Sequence, residues 1–199
     1  MVSSLRFLPA SRGTLLKLRA QLELVERGKS VLEMRRDQLI KEIFILIDEL
    51  RLRAKVESEY LEAIRAIARI RVLRGEQDFR SRMALVIPPK LEIVLESVQG
   101  VAVPKVRVIS NPDFSQILDP EYKKALKTLW NSLKGMIEIA NKEIAVEKLC
   151  YQLQYINRVV NSLERNMLPE LRDTIRRIEE RVSEEEIEEF VRIKKIGEE

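Results

Sequence analysis

The stretch VEKLCYQLQYINRVVNSLERNM, residues 146–167, decides the fold of this chain. Its apolar residues recur at alternating intervals of three and four positions: Val146, Leu149, Leu153, Ile156, Val160, Leu163 and Met167. This spacing is the a/d pattern of a coiled coil, whose narrow apolar stripe is buried only when a second helix packs against it. We therefore expect a partner helix along the whole stretch, either elsewhere in this chain or in another protein chain.

A second apolar stripe with the same spacing begins near the N-terminus. Its clearest members are Leu15, Leu18, Leu22, Leu39, Ile43 and Leu46, and no proline occurs between Pro9 and Pro88. The pattern predicts a long N-terminal helix over residues 14–74. Among its polar positions, three could either fix the register of a helix pair or extend their charge to solvent: Lys29, Arg36 and Arg53.

The middle of the chain has a different pattern. Gly75 interrupts the repeat. Short β-branched runs then flank the pair Gln99-Gly100, and several prolines separate these runs from each other and from the helices. These signals predict a β-hairpin of two or three short strands in an otherwise irregular segment over residues 75–120.

Helical spacing resumes over residues 121–182. Pro169 should remove one backbone hydrogen bond and bend this helix slightly. Ser183 followed by Glu186 forms a capping-box pattern, which predicts a terminal helical extension over residues 183–199.

Together these segments predict a mostly α fold. The economical arrangement is a long antiparallel two-helix coiled coil formed by the N- and C-terminal helices, with the short hairpin between them. Leu15 would then lie near Val182. We expect a single elongated domain over residues 1–199.

The composition excludes several classes of protein. Charged residues make up 34% and aromatics 5%, as in long-helix proteins. The net charge of +4 is too small for a dedicated nucleic-acid binder, so we expect no nucleic-acid partner. Cys150 is the single cysteine and fits a reducing compartment. No apolar run is long enough for a signal peptide or a membrane span, so we expect a cytoplasmic protein without direct membrane insertion.

Catalytic and metal-binding patterns are also absent from the sequence. Histidine, the commonest general base and metal ligand, does not occur. Gly28-Lys29-Ser30 resembles the end of a phosphate-binding loop, but Glu23 stands where that motif needs glycine. We expect no catalytic residues, no cofactor and no metal, and hence no enzyme.

Both ends of the chain resemble one known family. The runs TLLKL at 14–18 and GKSVLEMRRDQL at 28–39 look like the start of the D subunit of archaeal A-type and vacuolar V-type ATP synthases and ATPases. The runs INRVVNSLE at 156–164, PEL at 169–171 and EEEIEE at 184–189 look like its other half. Ser162 stands where the family usually has alanine.

The resemblance implies that this chain is the central stalk, or rotor axle, of a rotary proton-translocating ATP synthase. It would transmit torque between the membrane rotor ring and the catalytic hexamer without itself being catalytic. The implied partners are the catalytic and regulatory subunits of the ATPase head (A and B), the small F subunit of the central stalk, and the funnel-shaped rotor-ring adaptor (C/d type). The complex would hold the chain peripherally on the cytoplasmic face of the cell membrane.

The family role also suggests which residues meet the head. The helix ends would enter the cavity of the hexamer, where charge biases angular positions without locking them. The expected contacts are Arg6, Arg12, Lys17, Arg19, Arg192, Lys194 and Lys195.

Two other functions remain open from the sequence alone. A prefoldin-like chaperone also joins two coiled-coil helices by strands, although its helix tips should be apolar and the N-terminal tip here is basic. A coiled-coil scaffold on nucleic acid would need an aromatic or strongly basic reading surface that this sequence lacks.

Overall fold

A computed structural model describes residues 9–197 of the protein, with the side chains of residues 9–195. The elements are α1 (Arg12–Leu50), α2 (Arg53–Arg74), α3 (Glu76–Met83), β1 (Lys90–Val98), β2 (Val101–Ser110), α4 (Pro120–Ser162), a π turn (Leu163–Met167) and α5 (Leu168–Gly197). The predicted mostly α fold with a hairpin between two long helical segments is confirmed. The single elongated domain stays a prediction.

The chain divides into two compact units. Of the described residues, 9–37 and 154–197 form the terminal unit, and Gln38–Leu153 form the middle unit.

The terminal unit is an antiparallel helix pair. Leu18 of α1 is buried against three residues of α5, namely Leu171, Ile175 and Ile178. Four half-buried apolar residues pack around this cluster: Leu15, Leu22, Val25 and Val182. The prediction that Leu15 lies near Val182 is therefore confirmed.

The π turn changes which residues of the terminal unit are buried. Pro169 has no N–H to give to the carbonyl four residues earlier, and its ring would crowd that carbonyl. The chain widens just before it, and the N–H of Leu168 donates to the carbonyl of Leu163, five residues back. One extra residue is absorbed in this turn. Leu168 is therefore 6% exposed, whereas Met167, which the sequence places in the stripe, is turned outward and 45% exposed.

The other stripe residues divide between buried and half-buried positions. Leu39, Ile43 and Leu149 are buried in the middle unit, and Ile156 and Val160 are buried in the terminal unit. Four members are half-buried: Leu46, Val146, Leu153 and Leu163. Each fully buried leucine contributes about 1.5–3 kcal/mol relative to an exposed one, so this stripe dominates the stability of the paired helices.

The N-terminal helix is not continuous over residues 14–74. It breaks after Leu50, where the N–H of Leu52 reaches the carbonyl of Glu49 at 3.4 Å, three residues back. This tighter turn shifts the buried positions of α2 to Ala63 and Ile70. Arg53 consequently lies exposed at the start of α2, where its guanidinium contacts Glu143 at 2.8 Å.

The segment before the hairpin is helical, which the sequence analysis did not predict. Gly75 has φ 86° and ψ 158°, a conformation that favours glycine, and it separates α2 from α3. α3 carries acids in its first turn and arginines in its last, which suits the helix dipole. Arg82 pairs with Asp78 at 3.0 Å, four residues apart.

A small aromatic core lies at the base of the hairpin in the middle unit. Four of the ten aromatic residues of the chain gather here: Phe79, Phe114, Tyr122 and Trp130. The polar groups of the two buried rings Tyr122 and Trp130 are both hydrogen-bonded. The Tyr122 hydroxyl donates to Asp78 at 2.9 Å, and the Trp130 ring N–H donates to Asn111 at 3.1 Å. Because both bonds join separate elements, they fix how α3 and the strand exit pack on α4.

The hairpin turns at Gln99 and Gly100, as predicted. Both have positive φ, 49° and 74°, which is the two-residue turn that matches the twist of antiparallel strands. β1 and β2 pair from Val98↔Val101 to Lys90↔Ser110, and the register shifts only between Lys90 and Leu91.

One edge of the hairpin is closed by α4. The N–H of Val106 donates to Oδ1 of Asn141 at 2.8 Å, and Nδ2 of Asn141 donates to the carbonyl of Val106 at 2.9 Å. Pro104 lies two residues earlier on the same edge and has no N–H. The outer edge of β2 therefore offers no free N–H at Pro104 or Val106.

The Ser183 capping-box pattern does not start a new helix. α5 runs without a break from Leu168 to Gly197. Ser183 lies in its interior, with neither proline nor glycine nearby to end the preceding turn.

Candidate interaction surfaces

Three ion pairs join the helices of the terminal unit at regular intervals. Each brings an arginine Nη2 within 2.7 Å of a glutamate Oε1: Arg12–Glu186, Arg19–Glu179 and Arg172–Glu26. Successive pairs are seven residues apart on each helix, so all three flank the same side of the apolar stripe. Because the side chains are exposed, the pairs contribute more to register than to stability.

A fourth pair lies beside the π turn and involves a polar stripe position. Lys29 is one-quarter exposed, and its Nζ lies 2.6 Å from Oε1 of Glu164 and 3.5 Å from Glu33. The hydrogen bond to Glu164 raises the pKa of Lys29, and the same bond lowers the pKa of Glu164. Arg36, another polar stripe position, instead contacts its neighbour Asp37 at 3.2 Å.

The predicted charged contacts do not form one free patch. Arg12 and Arg19 are held by α5, and Arg192 lies 3.7 Å from Glu188 on its own helix. Lys17 and Lys195 are exposed. Lys194 is exposed and has an interaction of its own, and Arg6 lies outside the described residues. The contact role of all seven residues stays a prediction.

The end of α5 presents an apolar surface that the sequence analysis missed. Ile187, Phe190 and Val191 lie three and four residues apart, and together with Ile193 they are exposed. We name these four residues the α5 tip. The contacts predicted in this region were charged residues only. The helical spacing of the apolar residues was the signal that would have found the surface.

No metal-binding arrangement appears in the part of the chain that the structure describes. Residues 9–197 contain no group of three or more acidic, cysteine or histidine side chains placed to hold a metal ion. Cys150 is a half-buried free thiol. No helix within this range is long and apolar enough to cross a membrane.

The chain is similar to archaeal ATP synthase subunits over almost its whole length. A sequence profile of the family described as the ATP synthase D subunit matches residues 14–198. The A-type ATP synthase D subunit of Haloarcula marismortui is 31% identical over 195 residues, covering 94% of this chain and 85% of the relative. The corresponding protein of Pyrococcus horikoshii is 30% identical over 195 residues, covering 94% and 91%. That of Methanopyrus kandleri is 28% identical over 194 residues, covering 94% and 84%.

Paired coiled-coil helices with an exposed apolar tip are typical of proteins that pack against other chains. The sequence match then identifies the family. The chain belongs to the family of ATP synthase D subunits.

Proposed function

We propose that this chain is the central rotor shaft of a rotary proton-translocating ATP synthase, transmitting torque between the membrane rotor ring and the catalytic hexamer. The observation that carries the proposal is the terminal helix pair, whose buried stripe and three ion pairs resist sliding and unwinding. Torque transmission needs two helices that stay in register under load. An antiparallel coiled coil keeps its helices in register without a separate core.

The α5 tip and the terminal charges are the proposed contacts with the head. Exposed apolar residues on one helix face are typical of surfaces that pack against another protein. Arg192, Lys194 and Lys195 follow the tip and would add charge that orients it in the cavity of the catalytic and regulatory subunits. Away from the head, the proposed partners are the small F subunit of the central stalk and the rotor-ring adaptor. Through these two partners the chain would lie at the cytoplasmic face of the membrane.

Reconstitution tests the proposal. The catalytic hexamer is assembled with and without this chain, and co-elution and ATP turnover are measured. We expect one copy per hexamer and a changed turnover. A variant with Ile187→Ser and Phe190→Ser should bind the hexamer about tenfold or more weakly, as loss of two buried apolar contacts predicts. Leu118→Ser is the matched control, because Leu118 is exposed in the middle unit, and it should bind normally.

The α5 tip also favours a second candidate, a prefoldin-like chaperone, because such proteins grip unfolded clients with apolar helix ends. The same preparations distinguish the two functions. A chain that never joins the hexamer but suppresses aggregation of an unfolding client, and loses this with the tip variant, would replace the rotor proposal.

A further inference from the structure

The two edges of the β-hairpin differ in how their backbone groups are satisfied. In an antiparallel pair, every second residue turns its N–H and C=O away from the partner strand. Val106 is such a residue on β2, because both of its groups bind Asn141. On β2, two residues of this outer row are closed: Val106 by its bonds to Asn141, and Pro104 because it has no N–H.

The outer row of β1 follows from the register. Ile93 is paired with Val106 and Leu95 with Pro104, so these β1 residues also point their backbone groups outward. Leu91, two residues before Ile93, belongs to the same row. In the described part of the chain β1 has β2 as its only strand neighbour, so this row has no strand to pair with.

The side chains of the same row are apolar and exposed. Ile93 is 74% exposed and Leu95 is 73% exposed, and Leu91 is about half exposed. From Leu91 to Val98 the strand has no proline and keeps a regular register. Soluble proteins usually protect such an edge with proline, lysine, a bulge or a covering element, because an open apolar edge pairs with other chains. The protein applies two of these devices to β2 and none to this part of β1.

We propose that the open edge of β1 binds an extended strand of another protein of the synthase, which adds to the hairpin as a third strand through Leu91, Ile93 and Leu95. Only an extended backbone can satisfy donors and acceptors that repeat every second residue. The incoming strand carries apolar residues on the face of Ile93. A lysine or arginine on its other face lies beside Glu92, which is exposed on that side of β1, whereas Glu96 on the same side already pairs with Lys105 of β2 at 2.8 Å. The inference rests on the proposed function for the source of the partner, the assembled complex.

Amide hydrogen exchange tests this directly. The amides of Leu91, Ile93 and Leu95 are followed in the isolated full chain and in the chain assembled into the complete synthase. We expect these amides to exchange at least about tenfold more slowly in the complex, because a new strand engages them. The amides of Val94 and Glu96 already face β2 and serve as internal controls for the hairpin.

Two variants separate the backbone contact from the side-chain contact. Ile93→Pro removes one outward N–H without removing a β1–β2 bond, as Pro104 already does on the opposite strand. It should abolish the slowing at Leu91 and Leu95 in the complex. Ile93→Thr keeps the N–H and should retain the slowing within about threefold, since main-chain bonds supply most of the affinity in strand addition.

Three outcomes would overturn the inference. The first is a synthase that contains the chain but leaves the three amides as fast as in the isolated protein. The second is an Ile93→Pro chain that keeps the full slowing. The third is slowing that rises with concentration in the isolated chain as its mass doubles, which would make a second copy the occupant. A chain that fails to join the hexamer at all refutes the rotor proposal instead, so the two failures are distinguishable.

Discussion

The π turn makes a sharp prediction about two adjacent residues, Met167 and Leu168. A stripe that continued in unbroken α-helix would bury Met167, whereas the structure buries Leu168 and exposes Met167. Truncating each residue to alanine therefore distinguishes the two arrangements. Neither substitution adds a polar atom or a helix breaker, so both variants keep the helix propensity of the segment.

The expected costs follow from burial. Leu168→Ala removes three carbon atoms from a site that is 6% exposed. At about 0.8 kcal/mol per buried carbon plus a cavity term, the free energy of unfolding should fall by about 2–4 kcal/mol. Met167 is 45% exposed, so Met167→Ala leaves no enclosed cavity and should cost less than about 1 kcal/mol.

Guanidinium unfolding followed by far-UV circular dichroism measures both variants against the parent protein. An unchanged denaturant slope would indicate that the shift in midpoint reflects stability rather than a change in compactness. Equal costs, or a larger cost for Met167→Ala, would refute the reasoning, because the stripe would then run through this region without the inserted residue.

Two further predictions concern charge and backbone conformation. The pKa of Glu164 is lowered when the protein folds, so its contribution to stability is present above its unfolded value of about 4.3 and is lost as pH falls through the lower folded value. Glu164→Gln should therefore lower the melting temperature at pH 7 but match the parent in strong acid, and a difference that persists in strong acid would contradict the role of the Lys29 pair. Gly75→Ala should destabilise the protein by about 1–3 kcal/mol because of its positive φ. Gly28→Ala is the matched control, since its site is open helix, and it should be neutral or stabilising by up to about 1 kcal/mol in the same thermal unfolding experiment.

The long-range plan of the fold was predictable because it depends on a repeated signal. Each turn of the stripe around Leu149 and Leu18 adds the same evidence for a helix with a partner, so single exceptions do not hide it. The hairpin was equally predictable from the sequence. Gly100 and the β-branched runs beside it leave few other conformations.

Single-residue irregularities were not predictable from the same pattern. The break at Leu52 and the π turn each change the stripe by about one position, and a heptad pattern interrupted at one residue looks much like one with a stutter. Pro169 indicated a bend, but it did not indicate that the turn before it would widen. Whether a helix bends or takes up an extra residue depends on its packing partner, which the local sequence does not specify.

The interaction surfaces were missed for a different reason. The contacts predicted from the sequence were charged residues, yet Arg12 and Arg19 are held by glutamates far away in the chain. The α5 tip and the open edge of β1 are apolar, and in sequence they resemble core segments. Their exposure depends on what packs against them, so the structure was needed to find them. The helix α3, by contrast, could have been predicted from the sequence, because its acids and arginines lie four residues apart, which is a helix signal.

The order of signs in the three terminal ion pairs has a consequence for which alignments the two helices can adopt. A purely apolar stripe repeats every seven residues, so two helices could slide by one repeat and still bury leucine against leucine. Here α1 supplies Arg12, Arg19 and then Glu26, and α5 supplies the opposite charges. A slip of seven residues in one direction would set Arg19 against Arg172, and a slip in the other would set Glu26 against Glu179. The change of sign removes the translational symmetry of the repeat, so a load along the axis meets repulsion in both directions and only one alignment satisfies every pair.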